Sequence, residues 1–368
     1  MDTTRLSKLS ELLSISGLDA LALNPGPSLV YLTGLHFHLM ERPTLAFFTA
    51  NSAPVLVLPE LEMLKVKDLP FEVKPFPYGE NPAEWDQVFL KAGRSLGFKH
   101  KRIGIEPLQM RILEYRKVQV ITGGTECPDA TQLVGQLRLC KDADEVATMR
   151  SAVKVAQAAL EKTIPSIKVG ATKKEIAAEL VVQLLRLGSQ SDMPFDPIVS
   201  SGPNSANPHA VPSDRKLRPG DLLVVDWGAT VDGYISDLTR TFSVGKVDEE
   251  YHKIHQVVLE ANAAGRAAVQ PGVPCAQVDS AARTVIEKAG YGQYFTHRTG
   301  HGIGMEPHED PYIRSNNMQL LAPGMTFTVE PGIYLPGRNG VRIEDNMVIT
   351  ENGAECLSDM PRELQELG

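Results

Sequence analysis

The sequence has no long hydrophobic run and little cysteine. No stretch approaches the ~20 apolar residues that a helix needs to cross a bilayer, so no membrane span is expected. The N-terminal segment MDTTRLSKLSELL is a charged amphipathic pattern without the apolar region or cleavage site of a secretory signal. Four cysteines are too scattered for a disulfide framework: Cys127, Cys140, Cys275 and Cys356. We therefore expect a cytoplasmic protein with reduced thiols.

The chain is also short of positive charge and of nucleotide-binding motifs. Lys and Arg total 37 against 45 Asp and Glu, and a net charge of −8 is the wrong sign for coating nucleic-acid phosphates. There is no GxxxxGK[ST] loop and no HExxH pair, and Gly300, Gly302 and Gly304 lack the context of a dinucleotide fold. Hydrophobic residues make up 42% of the 368 positions, which is typical of a globular protein of two or three domains.

The first part of the chain predicts a small α/β domain. Helix-like and strand-like segments alternate: an amphipathic helical pattern at Leu6–Ser16 is followed by an apolar segment at 20–23, a further segment at 28–32, and two β-type runs at 44–49 and 54–58. Turn-forming residues then cluster in TGGTECPD, and a new helix with acidic residues in its first turn is predicted from Asp142 to Thr163. We place the boundary near residue 130, which gives an N-terminal domain of residues 1–130 and a second domain of residues 131–368.

The second domain contains an internal echo with an offset of 102 residues. Gly170 and Gly188 recur as Gly272 and Gly290, and each pair of glycines brackets an amphipathic helix. Duplicated α/β halves would give this pattern. The β-type runs around these helices are Leu222–Trp227, Tyr234–Val244, Met325–Val329 and Val341–Ile349. Strands mixed with helices in this way predict an α+β architecture.

A predicted β-hairpin brings two aspartates together. Asp226 and Asp237 lie on opposite arms, and Asp232-Gly233 is a strong turn signal between them. A two-residue loop at 231–232 would place the carboxylates directly opposite each other, whereas a loop at 232–233 would make them diagonal neighbours on one face. The flanking strings LLVVDWG and ISDLTRTF are apolar, so uncompensated charges there are costly. The two aspartates either hold a cation or face solvent beside an ordinary turn.

Three further residues extend this acidic pattern. Glu330 in TFTVEPGIY and Glu344 in VRIEDN each follow β-type residues, where a carboxylate on the core face is expensive unless it binds something. His301 in HRTGHGIG adds an imidazole. Two divalent cations would balance the charge of four carboxylates, which can bridge metals ~3.5–4 Å apart. The set predicts a site for two metal ions.

The motifs around these residues resemble those of the pita-bread metallopeptidases, a family that includes methionine aminopeptidase, aminopeptidase P and Xaa-Pro dipeptidase (prolidase). The resemblance rests on the strings DWGATVDGYISDLTRTF, GHGIG, VEPGIY and VRIED, which hold the ligand positions Asp226, Asp237, His301, Glu330 and Glu344. The N-terminal domain is similar to that of the prolidase, aminopeptidase P and creatinase branch. The resemblance implies a creatinase-like α/β domain followed by a duplicated α+β pita-bread catalytic domain.

The resemblance implies a role for each ligand position. Asp226 would chelate one metal ion, and Asp237 and Glu344 would bridge both. His301 and Glu330 would complete the shell of the second ion. A hydroxide bridging the ions would attack the peptide bond, and Glu330 would also accept a proton from the attacking water. We expect two divalent ions per subunit, Mn first, with Co and Zn as alternatives.

Other residues near the motifs receive catalytic or substrate-binding roles from the same resemblance. His209 in NPHAVPS and His308 in MEPHEDP would contact substrate and stabilise the tetrahedral intermediate. Arg342 would orient the carboxylates that hold the metals. His297 and Tyr334 would lie at the substrate pocket.

A dipeptidase must recognise a free C-terminal carboxylate, for which a guanidinium is the natural partner. Arg314 in EDPYIRS lies close to the position of such an arginine in prolidases, and Arg42 and Arg338 compete for the role. The N-terminal domain would mediate dimerisation and cover the active site of a partner subunit. Its loop Gly34–Arg42 (GLHFHLMER) is the candidate cover, or else a polar loop in which Glu41 and Arg42 are paired.

The function implied is hydrolysis of the Xaa-Pro bond of dipeptides by a cytoplasmic homodimer that binds neither nucleic acid nor membrane. An Xaa-Pro bond lacks an N–H and carries a rigid ring, so a pocket shaped for the ring can select it. The alternative is an aminopeptidase P that releases the N-terminal residue of longer Xaa-Pro peptides. A second alternative is a hydrolase or lyase of the same fold that acts on a small non-peptide molecule, and a third is a non-enzymatic interaction module.

Overall fold

The computed structural model describes residues 3–67 and 69–368 and divides into two compact units, Met1–Arg138 and Leu139–Gly368. The predicted domain of residues 1–130 includes Met1, Asp2 and Asp68, which lie outside the described residues. Among the helices that are described, none combines the length and the apolar character of a membrane span.

The division between the units falls later than the turn cluster before residue 130 predicts. A helix spans Thr131–Arg138 and packs against the N-terminal helix. The carbonyl of Leu137 accepts hydrogen bonds from Lys8 Nζ over 2.9 Å and from Tyr31 OH over 3.3 Å. These contacts place the helix in the first unit, so the division follows Arg138.

The first unit is built on a five-stranded mixed sheet. Its strands are β1 Ala20–Leu23, β2 Leu45–Phe48, β3 Val55–Pro59, β4 Lys74–Tyr78 and β5 Ile103–Gly104. Their order is β4-β3-β2-β1-β5, with β1 parallel to β5, β3 parallel to β4 and the other pairs antiparallel. Strands β1 to β3 are buried along their whole length, which suits their continuous apolar sequences. The helices are α1 Thr3–Ser16, α2 Pro27–Thr33, α3 Leu64–Lys67, α4 Pro82–Leu96, α5 Ile112–Thr122 and α6 Thr131–Arg138.

The second unit has four helices and two main sheets. The helices are α7 Ala143–Thr163, α8 Lys173–Arg186, α9 Glu249–Ala267 and α10 Cys275–Lys288. The strands of its first half are β6 Ile198–Ser201, β7 Leu222–Trp227, β8 Thr230–Val231, β9 Tyr234–Ile235 and β10 Leu238–Val244. Those of its second half are β11 Gly300–Gly302, β12 Glu309–Ile313, β13 Thr326–Val329, β14 Gly332–Tyr334, β15 Gly340–Arg342, β16 Asp345–Thr350, β17 Gly353–Cys356 and β18 Gln365–Leu367. The sheet orders are β18-β10-β7-β6 and β12-β11-β13-β16-β17, and β8-β9 and β14-β15 form separate two-stranded sheets.

The duplication expected from the glycine spacing is present in the fold. Helices α8 and α10 begin and end 102 residues apart, and β11 begins 102 residues after β6. The four bracketing glycines Gly170, Gly188, Gly272 and Gly290 have φ values of 90°, 107°, 80° and 87°. This left-handed region favours glycine because a Cβ atom is strained there. The repeated glycines therefore flank the two ends of a helix in the first half and the equivalent two ends of a helix in the second half.

Two predicted strands are interrupted in the structure. The run Tyr234–Val244 is divided between β9 and β10, and the run Val341–Ile349 between β15 and β16. In each case the chain changes pairing partner at the break, because β9 pairs with β8 and β10 with β7, while β15 pairs with β14 and β16 with β13. Asp237 and Glu344 each lie at one of these breaks, immediately before the second strand begins.

One glycine of the second half is required by close backbone contact. A Cβ atom on Gly300 in β11 would lie 1.9 Å from the carbonyl oxygen of Thr328, so the strand or its neighbour would have to move. We expect Gly300→Ala to lower the free energy of unfolding by ~1–3 kcal/mol or more, measured by denaturant titration. Gly79→Ala is the control, because no heavy atom lies within 4 Å of its Cβ position, and its effect should stay within about 0.5 kcal/mol. Equal stability of Gly300→Ala and wild type would contradict this packing.

Candidate metal centre

The predicted hairpin brings Asp226 and Asp237 onto one face. Its two-residue turn is Asp232-Gly233, with φ values of 46° and 78°, the positive pair that a type I′ turn needs. The register runs on into β7 and β10, where Asp226 lies opposite Thr239. Asp237 is thus the diagonal neighbour of Asp226, which confirms the second of the two predicted loop arrangements.

Strand alternation explains why Asp226 points away from the helices. Leu223, Val225 and Trp227 of β7 belong to the core formed with α7 and α8, and Trp227 Nε1 donates to the Ala156 carbonyl over 2.7 Å. Successive side chains of a strand point to opposite faces, so Asp226 projects from the other face. The face of β7 that carries Asp226 lines the candidate metal centre.

The second half repeats this arrangement. Phe327 and Val329 of β13 pack in the core with α10, so Thr328 and Glu330 point to the opposite face. His301 lies on the adjacent strand β11. Glu344 is joined to the first half by its backbone N–H, which donates to the Thr239 carbonyl over 3.1 Å. Each half therefore contributes predicted ligands to the same space.

The five predicted ligands line the floor of one cavity. His301 Nε2 lies 3.4 Å from Glu330 Oε1 and 3.6 Å from Asp237 Oδ2. Possible ligand atoms of Asp237, His301 and Glu344 all lie within 4.8 Å of one another. The residues are almost completely enclosed, with Asp226, Asp237 and Glu344 exposed by 8%, 6% and 2%. The structure thus brings together all five predicted residues.

Burial controls the electrostatics of this cluster. It raises the pKa of the Glu330 carboxyl to about 8, and it raises the pKa of Asp237 and Glu344 well above the ordinary range, with neighbouring carboxylates adding to the effect. Burial also raises the pKa of Asp226, although the Arg342 guanidinium opposes the rise. One guanidinium cannot balance four carboxylates, so without further cations the cluster must retain protons.

Two features of the donor atoms fit a metal centre. His301 Nδ1 lies 3.1 Å from the Gly302 carbonyl, so this nitrogen carries the proton and the Nε2 lone pair faces the carboxylates. Burial lowers the pKa of His301 well below its usual value, which keeps the ring neutral as a ligand must be. Asp226 Oδ1 is buried and accepts no hydrogen bond from any described residue. An oxygen-rich set with one imidazole suits hard or borderline divalent ions.

Arg342 orients two of the predicted ligands. It is 3% exposed, and its Nη2 forms an ion pair with Asp226 Oδ2. Its Nε donates to Thr239 Oγ1 over 3.1 Å, and this hydroxyl in turn donates to Glu344 Oε2 over 2.7 Å. Arg342 Nη1 also donates to Tyr334 OH over 3.0 Å. The location of Arg342 therefore suits its predicted orienting role.

His297 and Tyr334 form the next link of this network. His297 Nδ1 donates to the Arg298 carbonyl over 2.7 Å, so Nε2 accepts from Tyr334 OH over 2.8 Å. Burial lowers the pKa of His297 to about 4 and raises that of Tyr334 to about 12, so both side chains are neutral. Both ring nitrogens of His297 are engaged, and its ring lines the cavity. Tyr334, which the sequence predicts at the substrate pocket, is held between His297 and Arg342 and is not among the residues that line the cavity.

The cavity above the ligands has a volume of about 720 Å³. Three of the predicted substrate-binding residues, His209, His308 and Arg314, lie on its wall. The ring of His308 packs edge-on against that of His301, with centroids 4.2 Å apart. Sequence reasoning missed several other lining residues, namely Phe195, Asp196, Ile198, Pro208, Thr296, Arg298 and Pro307. Arg298 stands inside the HRTGHGIG string, but the string alone does not indicate where its side chain points.

The remaining two arginine candidates have acidic partners elsewhere. Arg42 belongs to the first unit, where it pairs with Glu41 over 2.5 Å and with Glu80 over 2.7 Å. The pairing with Glu41 is the one that the polar-loop alternative predicts. Arg338 pairs with Glu250, and both side chains are partly exposed to solvent.

Comparison with known proteins gives two family matches that together span most of the chain. Residues 147–351 match metallopeptidase family M24, and residues 5–140 match the creatinase/prolidase N-terminal domain. The probable dipeptidase PepE of Mycobacterium tuberculosis is 36% identical over 375 residues, covering 98% of this chain and 95% of its own.

Solved structures agree with these matches over the full length. A dipeptidase from Pyrococcus horikoshii has a TM-score of 0.92 and 38% identity, covering 99% of this chain and 100% of its own. A prolidase from Thermococcus sibiricus has a TM-score of 0.93 and 33% identity, with complete coverage of both chains. An X-Pro aminopeptidase from Thermotoga maritima has a TM-score of 0.83 and 32% identity, covering 97% of this chain and 100% of its own.

These matches confirm the predicted pita-bread family and the predicted fold class. They also agree with the order of the two domains along the chain. The chain belongs to metallopeptidase family M24, and its catalytic domain follows a creatinase/prolidase N-terminal domain.

Proposed function

We propose that this protein is an Xaa-Pro dipeptidase that works with two divalent metal ions, of which Mn is the first candidate. The observation that carries the proposal is the cavity itself, in which a buried cluster of four carboxylates and one imidazole lies beneath walls that hold histidines and arginines. The homodimer and the cytoplasmic location predicted from the sequence belong to the same proposal.

The ligand assignment follows the sequence prediction. Asp226 would hold one ion, His301 and Glu330 the other, and Asp237 and Glu344 both. Bound there, divalent ions would polarise the scissile carbonyl and lower the pKa of a water molecule to near neutrality. They would also neutralise carboxylates that otherwise repel one another at short range.

The residues of the chain supply positioning and proton transfer. Glu330 is the most exposed of the four carboxylates, with 14% of its side chain exposed, and we propose that it accepts the proton of the attacking water. His209 and His308 lie on the wall, where a ring N–H can donate to the oxygen of the tetrahedral intermediate. Arg342 and Thr239 hold Asp226 and Glu344 in place, so the carboxylates need no reorganisation during the reaction.

The shape of the cavity suits a short, partly apolar substrate. Phe195, Ile198, Pro208 and Pro307 give the wall an apolar portion that can contact a pyrrolidine ring or a small side chain. The Xaa-Pro bond offers no N–H, so recognition depends on ring shape and on the charged ends of the dipeptide. Aminopeptidase P activity is the alternative, because an X-Pro aminopeptidase is among the similar structures.

Substrate length separates the two candidate activities. With Mn loaded, we expect kcat/KM for Ala-Pro to exceed that for Ala-Pro-Ala by at least about tenfold, because a charged hydrogen bond to the terminal carboxylate contributes ~1.5–3 kcal/mol. Ala-Ala is the control for proline selectivity and should be a poor substrate. Preference for the tripeptide would support aminopeptidase P instead. Turnover of none of these peptides would refute both activities.

Metal content tests the ligand assignment separately from activity. We expect Asp237→Asn and Glu344→Gln to lose bound metal and activity, because each removes a carboxylate charge that would hold both ions in this assignment. His209→Ala should lose turnover but retain the wild-type metal stoichiometry, measured by inductively coupled plasma mass spectrometry. Two ions per chain in Asp237→Asn would contradict the assignment.

The stability of the metal-free protein should depend on pH. Glu330 has a folded pKa of about 8, above the unfolded value of ~4.3, so the folded state binds its proton more tightly. Such a group favours folding at pH below ~4.3, and this stabilisation is lost as pH rises towards 8. After chelation, the free energy of unfolding should therefore fall by at least ~1 kcal/mol between pH 5 and 8, and Mn should restore it at pH 8. Glu330→Gln should make the profile less steep without abolishing the pH dependence, because the pKa values of Asp237 and Glu344 are also raised. A flat wild-type profile would count against the charge argument.

A further inference from the structure

Three arginines line the cavity, and their environments differ. Arg342 is buried and engaged by Asp226, Thr239 and Tyr334, so its donors are committed to the chain itself. Arg314 is exposed beyond the end of β12. Arg298 is half-buried and belongs to the segment between His297 and His301.

The Arg298 guanidinium stacks on an aromatic ring and has no acidic partner among the described residues. It stacks on the ring of Tyr312, with its Cζ atom 4.6 Å from the ring centroid. No carboxylate among the described residues forms an ion pair with it. A guanidinium stacked on a ring keeps its in-plane N–H donors free for a planar anion. The Arg298 guanidinium can therefore bind the carboxylate of a molecule that occupies the cavity.

The backbone around Arg298 is also held firmly. The Arg298 carbonyl accepts the Nδ1–H of His297, and the His297 carbonyl accepts Arg283 Nη2 over 2.8 Å. On the other side, the backbone N–H and the hydroxyl of Thr299 both donate to Asp279 Oδ1, over 3.1 and 2.8 Å. Asp279 also pairs with Arg283, so one buried network fixes the segment.

Arg298 stands at a useful distance from the ligand cluster. It lines the same cavity as His301, His308 and Glu330, and its charge helps to lower the pKa of the two histidines and opposes the rise in the pKa of Glu330. It forms no ion pair with Glu330, however, and remains available on the wall. A dipeptide whose scissile carbonyl lies at the floor would carry its α-carboxylate only a few bonds away.

We infer that Arg298, stacked on Tyr312, binds the free α-carboxylate of the substrate and so sets the preference for dipeptides. The inference rests on the proposed function and gives Arg298 the role for which Arg314, Arg42 and Arg338 are the candidates predicted from the sequence. A peptide that continues beyond proline places a neutral amide against the guanidinium and leaves this half-buried cation unpaired. Tyr312 acts as a positioning residue, because its ring keeps the plane of the Arg298 guanidinium turned towards the substrate carboxylate.

The test compares a carboxylate with the matching amide in two assays. The first measures kcat/KM for Ala-Pro and for Ala-prolinamide, and the second measures binding of L-proline and L-prolinamide to the Mn-loaded protein by calorimetry. Wild type should prefer the carboxylate at least about tenfold in both assays. Arg298→Gln should reduce the preference to about one, mainly by losing affinity for the carboxylate, and Arg298→Lys should restore part of it.

Arg314→Gln is the matched competitor, since it removes the other available guanidinium of the same cavity. It should keep the carboxylate preference. Metal content and unfolding midpoint, measured for every variant, exclude loss of the site as the cause. Loss of the preference in Arg314→Gln with retention in Arg298→Gln would overturn the inference, as would a wild type that binds proline and prolinamide equally.

The two assays separate the inference from the proposed function. Absence of wild-type turnover on every Xaa-Pro substrate defeats the proposed function, while the calorimetric comparison still decides whether Arg298 recognises a carboxylate. Conversely, rapid turnover of Ala-Pro with a carboxylate preference that survives Arg298→Gln supports the dipeptidase and rejects the role of Arg298.

Discussion

The burial of four carboxylates in one small space is the constraint on which the rest of the second unit depends. Such a cluster is unfavourable unless cations or protons neutralise it, and Arg342 supplies only a single positive charge. The surrounding structure accordingly leaves donor atoms open: Asp226 Oδ1 has no described hydrogen-bond partner, and the His301 tautomer directs Nε2 inward. These are properties of a site that can hold cations.

Much of this site could be predicted from the sequence because the ligands lie in short apolar strings with recognisable turns. The hairpin at Asp232-Gly233 predicted that Asp226 and Asp237 would be near each other, but two loop registers remained possible. The choice depends on positive φ values at both turn residues, which this dipeptide permits but does not impose. The glycine echo at 102 residues likewise predicted the duplicated helices, because positive-φ helix ends require little side-chain context.

Other features depend on tertiary contacts that a local pattern does not contain. The strings around Asp237 and Glu344 continue the β-type pattern, so the sequence gives no sign that each strand changes partner there. Helix α6 joins the first unit through contacts with residues more than a hundred positions earlier, among them Lys8 and Tyr31. The direction of the Arg298 side chain is set by stacking on Tyr312, which no spacing rule indicates. Propensity and pattern are therefore informative about elements and much less so about their ends and partners.

The duplication has a direct consequence for the candidate metal centre. The first half supplies Asp226 and Asp237, and the second supplies His301, Glu330 and Glu344, so neither half holds all five predicted ligands. Two pairs of hydrogen bonds join the halves. The Asp237 N–H donates to Asn346 Oδ1, and Asn346 Nδ2 donates to the Asp237 carbonyl. The Thr241 hydroxyl donates to the Arg342 carbonyl and accepts a hydrogen bond from the Arg342 N–H. Because Asp237 and Glu344 lie at strand breaks where the halves meet, a shift of one half against the other would move their carboxylates apart. The relative positions of the predicted ligands therefore depend on the interface between the repeats, where hydrogen bonds between backbone groups and polar side chains, and not apolar packing alone, join the two halves.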